Sequence, residues 1–123
     1  MDEELRDFFA WYAERYMASD VHAISAVYEA PLLAVRDGDV IHLPDADAVQ
    51  GHLSELMAAY ARSGATRADI EGMDILPLGP SGAVVTVNWR VRAADGGLVK
   101  DFHTTYQLVR DGERWQILSY TNH

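Results

Sequence analysis

Three groups of residues in this chain are of types that do chemistry. The first is a pair of phenols, Tyr12 and Tyr16, on the apolar stripe of a helix. A buried tyrosine packs its ring and seeks a partner for its hydroxyl. Packing is therefore the ordinary reading, and the functional one is a phenol turned into a cavity as a hydrogen-bond donor. The second is Asp74. If Pro80-Ser81 is a two-residue turn, Asp74 lies opposite Val87 on the inner face of a sheet. A carboxylate there would be desolvated, with a raised pKa, and suited to general acid or base work. A bulge or a three-residue loop puts Met73 and Ile75 inside instead. The third is Asp101 with His103 on one face of a strand. A histidine beside a carboxylate can act as an acid–base pair. Arg90 and Asn88 stand across from them, so a surface ion pair or a subunit contact is the preferred reading.

The remaining candidates are weaker. His22, His42, His52 and His123 show no metal-ligand spacing, so no metal is expected. His52 sits at the edge of a helical apolar stripe, within reach of a pocket, though partly exposed packing is its preferred role. Arg36, beside a tight turn, either binds a ligand carboxylate or is solvated. No serine sits in a Gly-x-Ser-x-Gly elbow and no glycine-rich loop cradles a phosphate, so no cofactor is expected.

Bulk properties remove whole classes. The chain has no cysteine, which excludes disulfides, thiolate zinc sites and cysteine nucleophiles. The formal net charge is -9, and Lys100 is the sole lysine. A nucleic-acid groove needs clustered Lys and Arg, so neither nucleic acid nor an anionic membrane is an expected partner. The start, Met1-Asp2-Glu3-Glu4, lacks the positive charge and apolar run of a signal peptide. No apolar stretch approaches the roughly 18 residues that span a bilayer. A cytoplasmic location is expected. At 123 residues, one domain covering 1–123 is expected.

The elements that must position these residues follow from periodicity. Leu5, Phe8, Phe9, Tyr12 and Tyr16 recur at helical spacing, with acidic Asp2, Glu3 and Glu4 in the first turn. Ser19-Asp20 reads as a break and an N-cap. A short second helix presents Val21, Ile24, Val27 and Tyr28 and stops at Pro31. Leu32 to Arg36 and Val40 to Leu43 form a hairpin about Asp37-Gly38. A third helix opens near Pro44 and Asp45 or Asp47, carries Val49, Leu53, Leu56, Met57 and Tyr60, and ends at Gly64. Four strands follow in meander order: Ile70 to Leu78, Ala83 to Ala94, Val99 to Arg110 and Arg114 to Thr121.

Two-residue turns at Asp95-Gly96 and Asp111-Gly112 give a register. Trp89 then faces Phe102, Val87 faces Thr104, and Val85 faces Tyr106. Leu108 faces Trp115, Tyr106 faces Ile117, and Thr104 faces Ser119. One face collects Val85, Val87, Trp89, Phe102, Tyr106, Leu108, Trp115 and Ile117, which must pack on the helices. The other carries Thr86, Asn88, His103, Thr105, Leu118 and Tyr120, a mixed surface suited to a homodimer contact. The fold class is α+β, with N-terminal helices packed on a curved, mostly antiparallel sheet.

This order of elements resembles the nuclear transport factor 2-like superfamily, the cystatin-like α+β cones, in its bacterial SnoaL-like branch. The resemblance spans the chain. It rests on the element order and on local patterns: Tyr12 to Tyr28 with Ser19-Asp20 between, the Arg36-Asp37-Gly38 turn, Gly51 in the third helix, and Leu108-Val109-Arg110-Asp111-Gly112 running to Trp115-Gln116-Ile117. It implies a pocket between sheet and helices, and in many members a dimer joined through the outer sheet face.

The superfamily includes ketosteroid isomerase, scytalone dehydratase, limonene epoxide hydrolase and polyketide cyclases. Compared with the isomerase, Tyr12 and Tyr28 match its tyrosine pair, sixteen positions apart. The resemblance makes Tyr12 the donor to a substrate oxygen. Arg36 falls where the isomerase has its aspartate base, with Asp37 next to it, and Thr104 falls near its second acid. Steroid isomerisation is therefore not expected. The expected function is a small-molecule pocket. If it is catalytic, the resemblance implies a cofactor-independent isomerase, cyclase, dehydratase or hydrolase acting on a hydrophobic ring-containing substrate. Tyr12 and Asp74 are its catalytic candidates. Tyr16, Tyr28, Arg36, Trp89, Thr104, Tyr106 and Trp115 are its ligand-binding candidates. The alternative is a non-catalytic homodimeric binding or assembly module of the same fold.

Overall fold

The computed structural model describes residues 2–123. Helix α1 spans Asp2–Met17 and α2 spans Val21–Ser25. Strands β1 (Tyr28–Arg36) and β2 (Asp39–Leu43) precede α3 (Ala46–Arg62). Strands β3 (Ala65–Leu78), β4 (Gly82–Ala93), β5 (Leu98–Asp111) and β6 (Arg114–Asn122) complete one sheet in the order β2-β1-β6-β5-β4-β3. All neighbours are antiparallel except β1 and β6, which run parallel.

The helices form where the sequence supplies caps and a stripe. Asp20 caps α2 by accepting from the Ala23 amide at 3.1 Å, and Asp45 caps α3 by accepting from Ala48 at 2.8 Å. Gly64, at φ 81°, follows α3 in the left-handed conformation that ends many helices. The buried stripe of α1 is Leu5, Phe9, Tyr12 and Ala13. That of α3 is Val49, Leu53 and Met57. Both meet Val85, Val87, Leu108 and Ile117 from the sheet, each of them 2% exposed or less.

The second helix is shorter than its sequence pattern predicts. It ends at Ser25, and Tyr28 opens β1 rather than closing a helix. The Ile117 amide donates to the Val27 carbonyl at 2.8 Å, so the sheet captures this segment two residues past the helix end. The Asp37-Gly38 turn is as expected. Both residues have positive φ, 52° and 83°, which suits a two-residue hairpin, and Arg36 pairs with Asp39.

Register decides which side chains face inward. Between β4 and β5 it is the expected one: Trp89 with Phe102, Val87 with Thr104, Val85 with Tyr106. Between β3 and β4 the loop holds three residues, Gly79, Pro80 and Ser81, because Leu78 pairs with Gly82. Asp74 therefore pairs with Thr86 and is exposed, while Met73 and Ile75 turn toward the core. The inward placement of Asp74 is thus corrected.

Between β5 and β6 the turn residues are Gly112 and Glu113, one place later than expected. Leu108 pairs with Ile117, two positions on from Trp115, and the faces are kept. A bulge between Gln107 and Leu108 then shifts the register by one more. Tyr106 pairs with Tyr120 and Thr104 with Asn122. This odd step turns Tyr120 inward, where it is 5% exposed, so its expected place on the outer face is also corrected.

Candidate functional site

A cavity of about 60 Å³ opens between the C-terminal halves of α1 and α3 and the inner face of the sheet. Its walls include Tyr12 and Tyr16 from α1, Tyr28 from β1, Tyr60 from α3, Tyr106 from β5 and Tyr120 from β6. These are all six tyrosines of the chain. Tyr12, Tyr28, Tyr106 and Tyr120 are buried and form the floor. Tyr16 and Tyr60 are half-buried and meet edge to face at the rim, centroids 6.1 Å apart.

The hydroxyls are paired around this space. Tyr12 and Tyr28 share a hydrogen bond of 2.6 Å. Trp89 Nε1 donates to Tyr106 Oη at 3.0 Å. Thr104 Oγ1 donates to Asn122 Oδ1 at 2.8 Å. His52, on α3 behind the wall, shares a 2.6 Å hydrogen bond between its Nε2 and Tyr120 Oη. Such pairing is what buried polar groups require.

The electrostatics are one-sided. Loss of water raises the pKa of every tyrosine here, and neighbouring phenols add to the effect for most of them. Tyr120 is pushed up to about 12 by burial, with the Arg36 guanidinium beside it pulling the other way. Burial also lowers the pKa of His52, and the charge of Arg36 adds to that shift. At neutral pH the phenols and His52 are therefore uncharged. Among the described residues no carboxylate lines the cavity, and the formal charge there is that of half-buried Arg36. The arrangement can donate hydrogen bonds to an oxygen and pack rings against an apolar body. It holds no strong base.

Of the candidates named from sequence, Tyr12, Tyr16, Tyr28, Arg36, Trp89, Thr104 and Tyr106 come together in this cavity. Asp74 stands on the outer face of β3. Trp115 is buried near the β5–β6 turn, under the Arg110 guanidinium at 5.5 Å, and lines a separate groove with Phe8 and Trp11. It leaves the cavity because its partner on β5 is Arg110, next to the turn, and not a residue near Tyr106. Asp101 and His103 lie on the outer face. Asp101 accepts from Asn88 at 2.8 Å and pairs with Arg90 at 3.4 Å, and His103 stacks on His123. The sequence alone did not point to Tyr60, Tyr120 and Asn122, and for His52 it favoured packing over a place near the pocket. The available signal for Tyr60 was its place on the α3 stripe. Tyr120 and Asn122 were hidden by the bulge.

Among the described residues, no group of three or more His, Cys, Asp or Glu is placed to hold a metal ion, and no helix is long and apolar enough to cross a membrane.

Fold and site together define a cystatin-like α+β cone with a tyrosine-walled cavity. The sequence matches the family described as NTF2-like protein (DUF6841) over residues 2–123, and the chain belongs to that family. A comparison with curated proteins gives no match. Solved structures share the fold at low identity. An NTF2-like protein with a cystatin-like fold from Novosphingobium aromaticivorans is 17% identical with a TM-score of 0.77, covering 98% of this chain and 79% of that one. Aln2 from a Streptomyces species is 19% identical with a TM-score of 0.76, covering 98% and 87%. An NTF2-like protein of unknown function from Shewanella oneidensis is 15% identical with a TM-score of 0.73, covering 98% and 97%.

Proposed function

We propose that this chain is a small-molecule-binding domain whose tyrosine-walled cavity takes a compact, largely apolar ligand carrying an oxygen acceptor. The observation that supports this reading is the convergence of all six tyrosines on one cavity that no described carboxylate lines. Phenols held neutral by burial donate hydrogen bonds well and abstract protons poorly. The residue chemistry therefore favours binding over a proton-abstraction step, and it requires no cofactor. The ligand enters between the helices and the inner face of the sheet. Its outer part lies at the rim, against Tyr16 and Tyr60.

Thermal unfolding with a panel of small neutral ring compounds (cyclohexanone, 2-cyclohexenone, benzyl alcohol, phenylacetamide) tests this. A ligand at a hundred times its Kd stabilises the native state by about 2.7 kcal/mol, enough to raise Tm by several degrees. At least one compound is expected to do so. A panel that leaves Tm unchanged throughout would overturn the reading.

A homodimer through the outer face of the sheet is part of the proposal. Leu76 and Leu78 on β3 are 59% and 46% exposed there, beside the Thr86–Thr105 and Asn88–Asp101 hydrogen bonds. Light scattering at micromolar concentration should give twice the chain mass; a monomer would remove this part.

A further inference from the structure

Arg36 differs from the other arginines of the chain. Arg15, Arg90, Arg92 and Arg110 are likewise half-buried, and each has a carboxylate oxygen within 3.4 Å. Arg36 lines the cavity, and no described carboxylate reaches it within salt-bridge distance. In a chain with 19 acidic residues, this partly desolvated cation has no carboxylate beside it among the described residues. Burying a charge costs free energy unless it is paired, so such a cation inside a cavity points to a partner that arrives from outside.

The surroundings specify that partner. Arg36 shares the cavity wall with Tyr16, Tyr60 and Tyr120. His52 holds the Tyr120 hydroxyl at 2.6 Å. When His52 donates from Nε2, the Tyr120 oxygen accepts that proton and its own O–H is left for the cavity. The planar guanidinium and this hydroxyl then present N–H and O–H donors side by side. Two converging donors, one charged, match the two oxygens of a carboxylate. The apolar body of the acid then meets the Tyr16–Tyr60 rim.

We propose that Arg36 and Tyr120, with His52 positioning Tyr120, form an anion subsite that selects a monocarboxylate with an apolar, ring-sized body. The proposal rests on the binding function argued above and names the class of its ligand. It assigns Arg36 to recognition, at the position where the resemblance to ketosteroid isomerase would have put a base.

The test is a pair of titrations followed by two-dimensional ¹H–¹⁵N NMR, with phenylacetate and with its neutral isostere phenylacetamide. Phenylacetate should bind the wild type about tenfold or more tightly than the amide. Arg36→Gln should lose about tenfold or more for phenylacetate and clearly less for the amide, which brings no charge to pair, while Arg36→Lys should recover part of the loss. Tyr120→Phe should reduce the preference for acid over amide. His52→Leu should reduce it too, and His52→Gln, which keeps an N–H donor, should restore it. Unchanged amide spectra away from the cavity verify that each variant is folded. Equal affinity for acid and amide in the wild type, or an Arg36→Gln variant that binds phenylacetate as the wild type does, would overturn the anion subsite. The binding function would stand in that case if the neutral panel still raises Tm. If neither the panel nor phenylacetate is bound, both fail.

Discussion

The inner face of the sheet has two halves built on opposite principles. Toward the β5–β6 turn it is aliphatic, with Leu5, Ala83, Val85, Leu108 and Ile117 all at 2% exposure or below. Toward the other end it is phenolic, with Tyr28, Tyr106 and Tyr120, and Tyr12 of α1, around a cavity; Tyr12 and Tyr28 bond each other, Tyr106 accepts from Trp89, and Tyr120 pairs with His52. Phe9 sits between the two, its ring 4.8 Å from that of Tyr106. The same strands run through both halves, so backbone geometry does not explain the difference. An aliphatic filling would remove the void and the need to satisfy hydroxyls at the phenolic end. Keeping six phenols there, and an arginine with no described carboxylate beside it, gives up packing that the neighbouring half achieves. Such a sacrifice is what a binding site looks like in energetic terms.

The largest expected effect that separates the halves is alkaline unfolding. The native pKa of each tyrosine is raised, while an unfolded phenol titrates near 10. The sign follows: below pH 10 both states hold the proton and nothing is lost. Above it the unfolded chain releases protons first, and stability falls as pH rises. At pH 11 a phenol whose native pKa lies well above that costs about 1.4 kcal/mol, and Tyr12, Tyr16, Tyr28, Tyr106 and Tyr120 together about 7 kcal/mol, comparable to the whole stability of a domain. Tyrosinate absorbance at 295 nm should therefore rise in one cooperative step that coincides with loss of the far-ultraviolet circular dichroism signal. Gradual titration near pH 10 in the folded state would show the phenols to be solvated.

Next in size is a truncation in the aliphatic half. Leu108→Ala should cost about 2–5 kcal/mol in denaturant unfolding, through lost burial and a cavity. The matching change in the phenolic half is milder. Tyr12→Phe leaves the Tyr28 hydroxyl without its 2.6 Å partner and should cost about 1–3 kcal/mol. Tyr12→Phe combined with Tyr28→Phe removes both ends and should recover most of that loss. A double variant as unstable as the sum of the singles would mean that the two hydroxyls do not act as a pair.

The smallest effect concerns His52. Burial depresses its native pKa below the ordinary value of 6.5. The unfolded state then binds the proton first, so stability falls as pH drops from about 6.5 through the native pKa. His52→Gln should remove this part of the acid dependence. Curves of stability against pH that superimpose for the two proteins between pH 7 and 5 would contradict it.

How much of this was legible in the sequence depends on how local the signal was. The α1 and α3 stripes, the Asp37-Gly38 hairpin and the β4–β5 register are fixed by short-range patterns, and they fall where the residues put them. Seven of the nine residues proposed for the site gather in the cavity, and six of them, all but Tyr28, lie on those same elements. The failures lie where one extra residue changes a face. A three-residue loop at Gly79-Pro80-Ser81 sends Asp74 outward, and a bulge next to Leu108 sends Tyr120 inward. Neither carries a distinctive residue signature. Tyr28 was misplaced for another reason: its segment is held by a parallel pairing with β6, a contact distant in sequence. His52 became informative only once Tyr120 was inside.

The central claim is that the phenolic half is a binding site and the aliphatic half is core. The three tryptophans test it directly, because they sample different places. Trp89 donates from Nε1 to Tyr106 in the cavity wall, Trp115 is buried at the aliphatic end, and Trp11 is 39% exposed. In a ¹H–¹⁵N NMR titration with cyclohexanone, the indole N–H resonance of Trp89 should shift saturably while those of Trp11 and Trp115 hold still. A Trp89 resonance that does not move, or saturable shifts of Trp11 and Trp115 in its place, would contradict the account.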